Sequence, residues 1–523
     1  MKLSLGDSPL YHLLSLRMTA LQQSPDTKLV KPHLDVLLRE DSWKLLTNLV
    51  DVHRIARDEV WARHIVPVLC EWLGYLPLDL ELVGQYLAED PNISLGDILK
   101  RLQAQQQNNE AIGALQQGMQ PNFNTARRGV KAAFELTWQK LDRTTQRIAE
   151  FLSLFAPDVI PWKLVESASL QINWVKADLN RAKKQLYEWQ LIQLVEAKND
   201  SYKIHPLIRE FLQTKLGASK QAEKLRRAFV QSMVFTAQQL PDSPTPKDIE
   251  SIEDAIPHLK EVTQTLTTTA KDEELLWLFD RLGTFYKARE LYDLAQPWFL
   301  KCLFLAKSRF GTDHPDVATS LNNLAGLYYA QGLYSKAEPL YLKALHLRKR
   351  LLGNNCLEVA TSLNNLAGLY YAQGCYNQAE SLYLEALELR KRLQRNHNCD
   401  VAATLNNLAL LYYTQGRYSE AEPLYLEALE LRKRLLGNNH IDVATTLNNL
   451  ASLYDAQGRY IEAKPLLLQA LEISKQVLGS NHANTIIFRK NLESLQAQLE
   501  SDDSWFHQKL TRKFLTFLQR IKS

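Results

Sequence analysis

The residues best placed to do chemistry are amides and phenols. Asn-Asn pairs stand at 322/323, 364/365, 406/407 and 448/449, each within LNNLAGLYYAQG or a close variant. A side-chain amide both donates and accepts, so it can bond the backbone of an extended peptide whatever that peptide's sequence. Helical spacing puts Asn322, Gly326 and Tyr329 near one face. The candidate peptide groove is therefore Asn322, Tyr329, Asn364, Tyr371, Asn406, Tyr413 and Asn448, with the first Asn of each pair favoured over the second. The competing reading is an amide network between repeats that sets their stacking. Basic runs at 348–350, 390–392 and 432–434 could bind an anion. Glu388 and Glu430 precede Arg392 and Arg434 by four residues, so these runs read as solvated, charge-matched helix faces.

Other chemistries find no support. None of the 19 glycines is followed by Lys, so the phosphate-cradling GxxxxGK[ST] loop is absent. The five cysteines form no CxxC pair, and neither a metal site nor a disulfide framework can be read from them. We find no HExxH, paired-carboxylate or Ser/His/Asp pattern, and expect no catalytic residues, no metal and no enzyme activity. The net charge is 62 − 58 = +4 over 523 residues, too small to imply a nucleic-acid partner. No signal peptide or apolar run of about 18 residues appears, and a cytoplasmic location is expected.

These residues are positioned by an internal repeat of 42. Residues 318–359 and 360–401 agree at 30 of 42 positions. A decayed copy precedes them at 276–317, and a partial copy follows the last full one. Each unit reads as two helices. Leu321, Leu324, Ala325 and Tyr328 face one way on the first, and Ala337, Leu340, Tyr341, Ala344 and Leu345 on the second. Gly332 stops the first helix. Pro339, Pro423 and Pro465 are expected in the first turn of the second, where the missing N–H is an orphan anyway. One unit cannot bury its apolar face alone, so the copies must stack into an α-solenoid.

This array resembles the tetratricopeptide repeat, and its length and LNNLA motif resemble the kinesin-light-chain type. The resemblance implies that first helices line a concave groove holding a peptide or protein partner. Self-association is compatible with it.

The first half reads as helices followed by a short β-hairpin around Lys198-Asn199-Asp200, which suggests a winged helix. A winged-helix DNA-binding regulator is one alternative for the whole chain, but Asp178, Glu188 and Glu196 leave the candidate third helix without a basic face. The segment LCEWLGYLPLDLELVGQYL (69–87) resembles the GxP motif of NB-ARC ATPases of the STAND class, with Gly74 and Pro77 in order. YKIHPLIREFL (202–212) resembles their MHD-type motif, with His205 at the His position, and Arg17 falls where the sensor Arg would be. The resemblance implies that Pro77 touches adenine and His205 an ADP phosphate; chains joining such a module to kinesin-light-chain-like repeats occur in bacteria. The family's phosphate loop would precede residue 10 and is not in this chain. ATP or ADP is thus expected only if a core encoded upstream or on another chain supplies that loop, as in the alternative of a nucleotide-dependent STAND switch.

The expected fold is mainly α. It comprises a remnant of a nucleotide core (1–30), a helical NB-ARC-like subdomain (31–103), a Gln/Asn-rich linker (104–128) and a winged-helix-like domain (129–217). Linker helices (218–275), the repeats (276–495) and a basic amphipathic capping helix (496–523) follow. The expected function is a protein-interaction scaffold or signalling adaptor with a degenerate regulatory module.

Overall fold

The computed structural model describes residues 59–73, 93–113, 124–195, 198–394 and 399–500, with scattered positions between 37 and 88. The expected remnant at 1–30, with Arg17, lies outside these residues, as do Gly74, Pro77 and the tail from 501. The chain forms two compact units: one takes the residues up to Glu150 with Lys176–Leu194 and Ile204–Lys215, the other Phe151–Val175, Val195–Lys203 and everything from Leu216.

The first unit is built on α1 (Glu59–Trp72), α2 (Leu95–Gly113) and α3 (Asn124–Lys140), which pack on one another. Helix α2 runs through the first half of the Gln/Asn-rich stretch expected to be a linker. Gln and Glu are good helix formers, and polarity alone does not end a helix. Leu69, Cys70, Leu73, Ile98, Leu102 and Phe134 are buried. Phe211 packs edge-on against Trp138 at 5.9 Å, and Lys215 pairs with Glu135 at 2.7 Å.

After α4 (Arg143–Leu152) come β1 (Ile160–Pro161), α5 (Trp162–Ile172), α6 (Lys176–Glu188), β2 (Gln193–Leu194), β3 (Ser201–Lys203) and α7 (Pro206–Ala218). These are the helices and hairpin of the expected winged-helix-like region, although its residues are divided between the units. In the second unit β1 pairs antiparallel with β3, Ile160 opposite Tyr202. Asp200 takes a left-handed φ of 50° in the turn.

Residues 218–275, the expected linker helices, contain three helices with buried apolar side chains. Helix α8 (Ala222–Gln238) buries Leu225, Phe229, Val230 and Met233, because its apolar residues fall on more than one face. Phe229 meets Phe155 at 4.8 Å, and the fully buried His258 accepts from the Ala156 N–H at 3.2 Å. Helix α9 (Pro246–Glu253) follows the Pro-rich segment. Thr245 and Asp248 form its capping box. Helix α10 is Ile256–Thr265.

The repeats are five helix pairs: α11/α12 (Asp272–Ala288, Tyr292–Phe310), α13/α14 (Pro315–Ala330, Tyr334–Leu352), α15/α16 (Leu357–Ala372, Tyr376–Gln394), α17/α18 (Cys399–Thr414, Tyr418–Leu436) and α19/α20 (Ile441–Ala456, Tyr460–Leu478). A single helix, α21 (483–500), follows them. The α8 residue Arg227 forks onto Glu274 at the start of α11, tying the array to the helices before it.

Two details depart from the sequence reading. The second helices begin at Tyr334, Tyr418 and Tyr460, so Pro339, Pro423 and Pro465 are the sixth helical residues and not in the first turn. Each therefore removes one real helical hydrogen bond, and the helix continues because tertiary packing holds it.

The second departure is larger. Arg348, Arg390 and Arg432, the first residues of the basic runs, are buried, not solvated. Each reaches into the next repeat. Arg348 donates to the Glu358 carbonyl at 3.0 Å and to Ser362 Oγ at 2.8 Å. It also reaches back to Thr319 at 3.3 Å. Arg390 bonds the Asp400 carbonyl at 2.9 Å and Thr404, and Arg432 the Asp442 carbonyl at 2.8 Å and Thr446 at 2.6 Å. The later residues of a run behave as expected: Lys391 is part-exposed and pairs with Glu427 at 2.7 Å, and Arg392 is exposed and lies 3.9 Å from Glu388. At the last junction Ser474 takes the Arg position and bonds Thr485 at 2.7 Å.

Two outcomes are expected. Arg390→Ala removes a buried guanidinium with its bonds to the Asp400 carbonyl and Thr404 Oγ1 and should lower urea-unfolding stability by about 2–4 kcal/mol, against less than about 1 kcal/mol for Arg392→Ala on the same helix; equal effects would contradict the clasp. Glu290 in the decayed copy holds a φ of 60° where the regular copies place Gly332, Gly374, Gly416 and Gly458. Glu290→Gly should raise stability in the same measurement by about 1 kcal/mol, by relieving left-handed strain, and a loss would contradict this.

Candidate functional site

Successive first helices pack side by side, and the Asn pairs sit on the line where they meet. Asn365 Nδ2 donates to Asn322 Oδ1 at 3.1 Å, Asn449 to Asn406 at 3.3 Å, and Asn491 to Asn448 at 2.9 Å. Asn323 donates at 2.6 Å to Asp280, which holds the first-Asn position in the decayed copy. Every bond spans 43 residues: the second Asn of one repeat reaches the first position of the repeat before. Asn322, Asn406 and Asn448 are buried. The amide pairs are thus the inter-repeat network, and the expectation that the first Asn chiefly lines an open groove is corrected. A buried amide oxygen needs a donor, and the neighbouring repeat supplies it. At Asn364 the ladder is broken: its Oδ1 is buried and accepts no hydrogen bond.

The two tyrosines of each motif divide their work. The first faces the preceding repeat. Tyr370 donates to Glu338 at 3.1 Å and Tyr412 to Glu380 at 3.0 Å. Arg417 and Arg459 lie over the rings of Tyr412 and Tyr454, at 4.0 and 3.8 Å, while pairing with Glu380 and Glu422. The second tyrosine stays open to the first-helix face. Tyr329 is 38% exposed, and Tyr371 and Tyr413 are half-buried. Each leans on the tyrosine that opens its own second helix, with ring centroids 5.8 Å apart for Tyr329 and Tyr334. Tyr371 also shares a 3.0 Å hydrogen bond with Thr414. Burial pushes the phenols of Tyr329 and Tyr413 above their ordinary range, so they remain neutral hydrogen-bonding groups.

Below this row, Gly326 and Gly368 let second-helix tyrosines approach. A Cβ on Gly326 would stand 3.4 Å from the Tyr341 hydroxyl, and one on Gly368 3.5 Å from that of Tyr383. The resulting face carries half-buried second Asn side chains, glycine at 326 and 368 and the second-tyrosine row. It can hydrogen-bond a backbone and pack apolar side chains. Of the sequence candidates, the structure brings Tyr329, Tyr371 and Tyr413 together, buries Asn322, Asn406 and Asn448, and leaves Asn364 half-buried. The opposite, second-helix surface carries Leu342, Leu384, Leu426 and Leu468, each partly exposed.

In the first unit, His205 precedes α7 and its Nδ1 accepts from the Leu207 N–H at 3.3 Å. Burial lowers its pKa, keeping it a neutral acceptor. This is the geometry of a helix-capping histidine. Helix α6 pairs Arg181 with Asp178 at 2.7 Å, which fits its mixed charge. Among the described residues no cluster of three His, Cys, Asp or Glu is placed to hold a metal, and no helix is long and apolar enough to cross a membrane.

Antiparallel helix pairs stacked by a ladder on their first helices define a helical-repeat solenoid. Residues 274–503 match the tetratricopeptide repeat family in five overlapping stretches, 274–350, 321–392, 358–434, 400–476 and 442–503, and this part of the chain belongs to that family. No curated protein sequence matches the chain. Among solved structures, BtubC (BKLC) from P. vanneervenii is 25% identical over 44% of this chain and 91% of that one, with a TM-score of 0.36. A signal transduction ATPase with numerous domains (STAND) with a tetratricopeptide repeat sensor, from Pyrococcus horikoshii, is 15% identical over 87% of this chain and 62% of that one, with a TM-score of 0.43. NprR in complex with its cognate peptide NprX is 16% identical over 66% and 88%, with a TM-score of 0.41.

The ladder makes an uneven prediction. Asn448→Ala should cost about 1–2 kcal/mol in thermal or urea unfolding, because Asn491 loses its acceptor. Asn364→Ala, whose oxygen is already unpartnered, should cost clearly less. Equal losses would show that the amides do not act through these bonds.

Proposed function

We propose that this protein is a non-enzymatic adaptor that holds an extended peptide segment of a partner along the first-helix face of its repeats. The observation that carries this reading is the row Tyr329, Tyr371 and Tyr413. These side chains recur at the 42-residue spacing, remain open while their neighbours are used up in stacking, and present both an apolar ring and a hydroxyl. The half-buried second Asn of each repeat adds amide groups at the edge of the row.

The first half is, in this reading, a degenerate regulatory module of the STAND class, supported by the residue patterns around Pro77 and His205. It binds ATP or ADP only with a phosphate-binding core supplied from elsewhere. The five free cysteines and the absence of a membrane-length helix among the described residues are compatible with work in the cytoplasm.

The test uses the full chain and a neutral peptide of about fourteen residues rich in Asn, Ser and Leu, long enough when extended to cross the row. Fluorescence anisotropy should detect binding. The triple variant Tyr329→Ala, Tyr371→Ala, Tyr413→Ala should weaken it at least about tenfold, since each partly exposed ring forfeits apolar contact, with an unfolding curve showing retained structure. Unchanged affinity in the folded variant would reject the face.

A further inference from the structure

The tyrosine row ends in opposite charges. One repeat before Tyr329, the same position is Lys287, and one repeat after Tyr413 it is Asp455. Both lie on the row. Lys287 Nζ is 3.4 Å from the point where a Cβ on Gly326 would stand, and the Asp455 carboxylate is close enough to Tyr413 to disfavour its phenolate.

Among the described residues neither charge has a hydrogen bond or an ion pair of its own. Lys287 is largely withdrawn from water, and burial lowers its pKa. The nearby acids Asp280 and Asp242 favour its charge, but Asp280 accepts from Asn323 and both acids pair with Arg281. Among the described residues Lys287 has no hydrogen bond and no ion pair of its own. Asp455 Oδ1 is buried and without a donor, and burial alone raises its pKa, with no cation opposing the shift. A half-buried charge left without a partner is costly, and the regular copies avoid that cost by carrying tyrosine there.

Resting on the groove reading above, we propose that the row selects its ligand by polarity: it takes an extended segment whose acidic group seats at Lys287 and whose basic group seats at Asp455, so that a partner enters in one chain direction. Packed helices lie about 10 Å apart, and four steps separate the two charges, which gives a path of about 40 Å or roughly a dozen extended residues. The tyrosines between them tolerate many sequences, while the end charges set register and direction. Complementary end charges also penalise the reversed segment, since each end would then meet a like charge.

The experiment uses the full chain and three peptides of about fourteen residues that share one Asn/Ser/Leu centre. One carries Glu residues at one end and Lys at the other, the second carries Glu at both ends, and the third is neutral. The wild-type chain should prefer the opposite-ended peptide over the like-ended one by about tenfold at low salt, and the preference should shrink as salt rises. The double variant Lys287→Tyr, Asp455→Tyr, which restores the residue of the regular repeats, should bring the two charged peptides within about twofold while the neutral peptide still binds. Equal binding of both charged peptides to the wild-type chain, or a preference that survives the double variant, would overturn the polarity proposal. Neutral-peptide binding alongside either result leaves the groove reading standing. Failure of all three peptides to bind would reject the groove reading and the polarity proposal together.

Discussion

The solenoid depends on one contact made again at each regular junction: a buried guanidinium from a second helix grips a backbone carbonyl and a hydroxyl of the next repeat. A stack of helix pairs has no single core, so each junction must specify its own geometry. Apolar packing of Leu, Ala and Tyr draws the repeats together but fixes their rotation only loosely, because it is non-directional. Arg348, Arg390 and Arg432 supply direction. Each must find two acceptors in the next repeat or lie desolvated and unpaired, and that penalty is what makes the register definite.

The amide ladder performs the same task on the opposite side of the junctions, except where it is broken at Asn364. With Arg on one side and Asn on the other, the first helices are held at a fixed pitch. Tyr329, Tyr371 and Tyr413 then fall in a row, instead of scattering around the stack. Function in this account follows from stacking: the side chains left over once both inter-repeat contacts are satisfied are those able to meet a partner. Where the contacts lapse, the molecule changes character. The decayed copy has Ala306 in place of the Arg; it keeps a ladder bond through Asp280 and is fixed to α8 through Arg227 and Glu274.

Much of this was legible in the sequence, because a period of 42 leaves few alternatives. The helix pairs, their glycine turns and the tyrosine row all follow from which residues recur at three and four. What the sequence concealed was the partner of each polar residue. Arg390 and Arg392 stand two apart in one run, yet one is buried and the other exposed, since a shift of two residues rotates a side chain about 200° around a helix. A composition argument treats the run as one object and misses that. The Asn pair misled for a related reason: its period fits a ligand groove and an inter-repeat ladder equally well, and only the 43-residue offset of the bonds decides between them. The proline positions were misjudged because helix starts depend on caps that short motifs do not show. In the first half, Gln-rich sequence looked like a linker and is partly helix, and the helices expected within 218–275 bury Phe229 and His258, a depth of packing that their sequence did not show.

The central claim is that the inter-repeat contacts leave the tyrosine face, and not the leucine-bearing outer face, as the surface that meets a partner. Hydroxyl-radical footprinting of the full chain with and without the bound neutral peptide tests it directly. Tyr329 and Leu342 have similar exposure, 38% and 43%, so both faces carry an accessible reporter, each read against its own reactivity in the free protein. The account predicts that the peptide shields Tyr329, Tyr371 and Tyr413 and leaves Leu342, Leu384 and Leu426 unchanged. Shielding of the leucines with the tyrosines still reactive would contradict it.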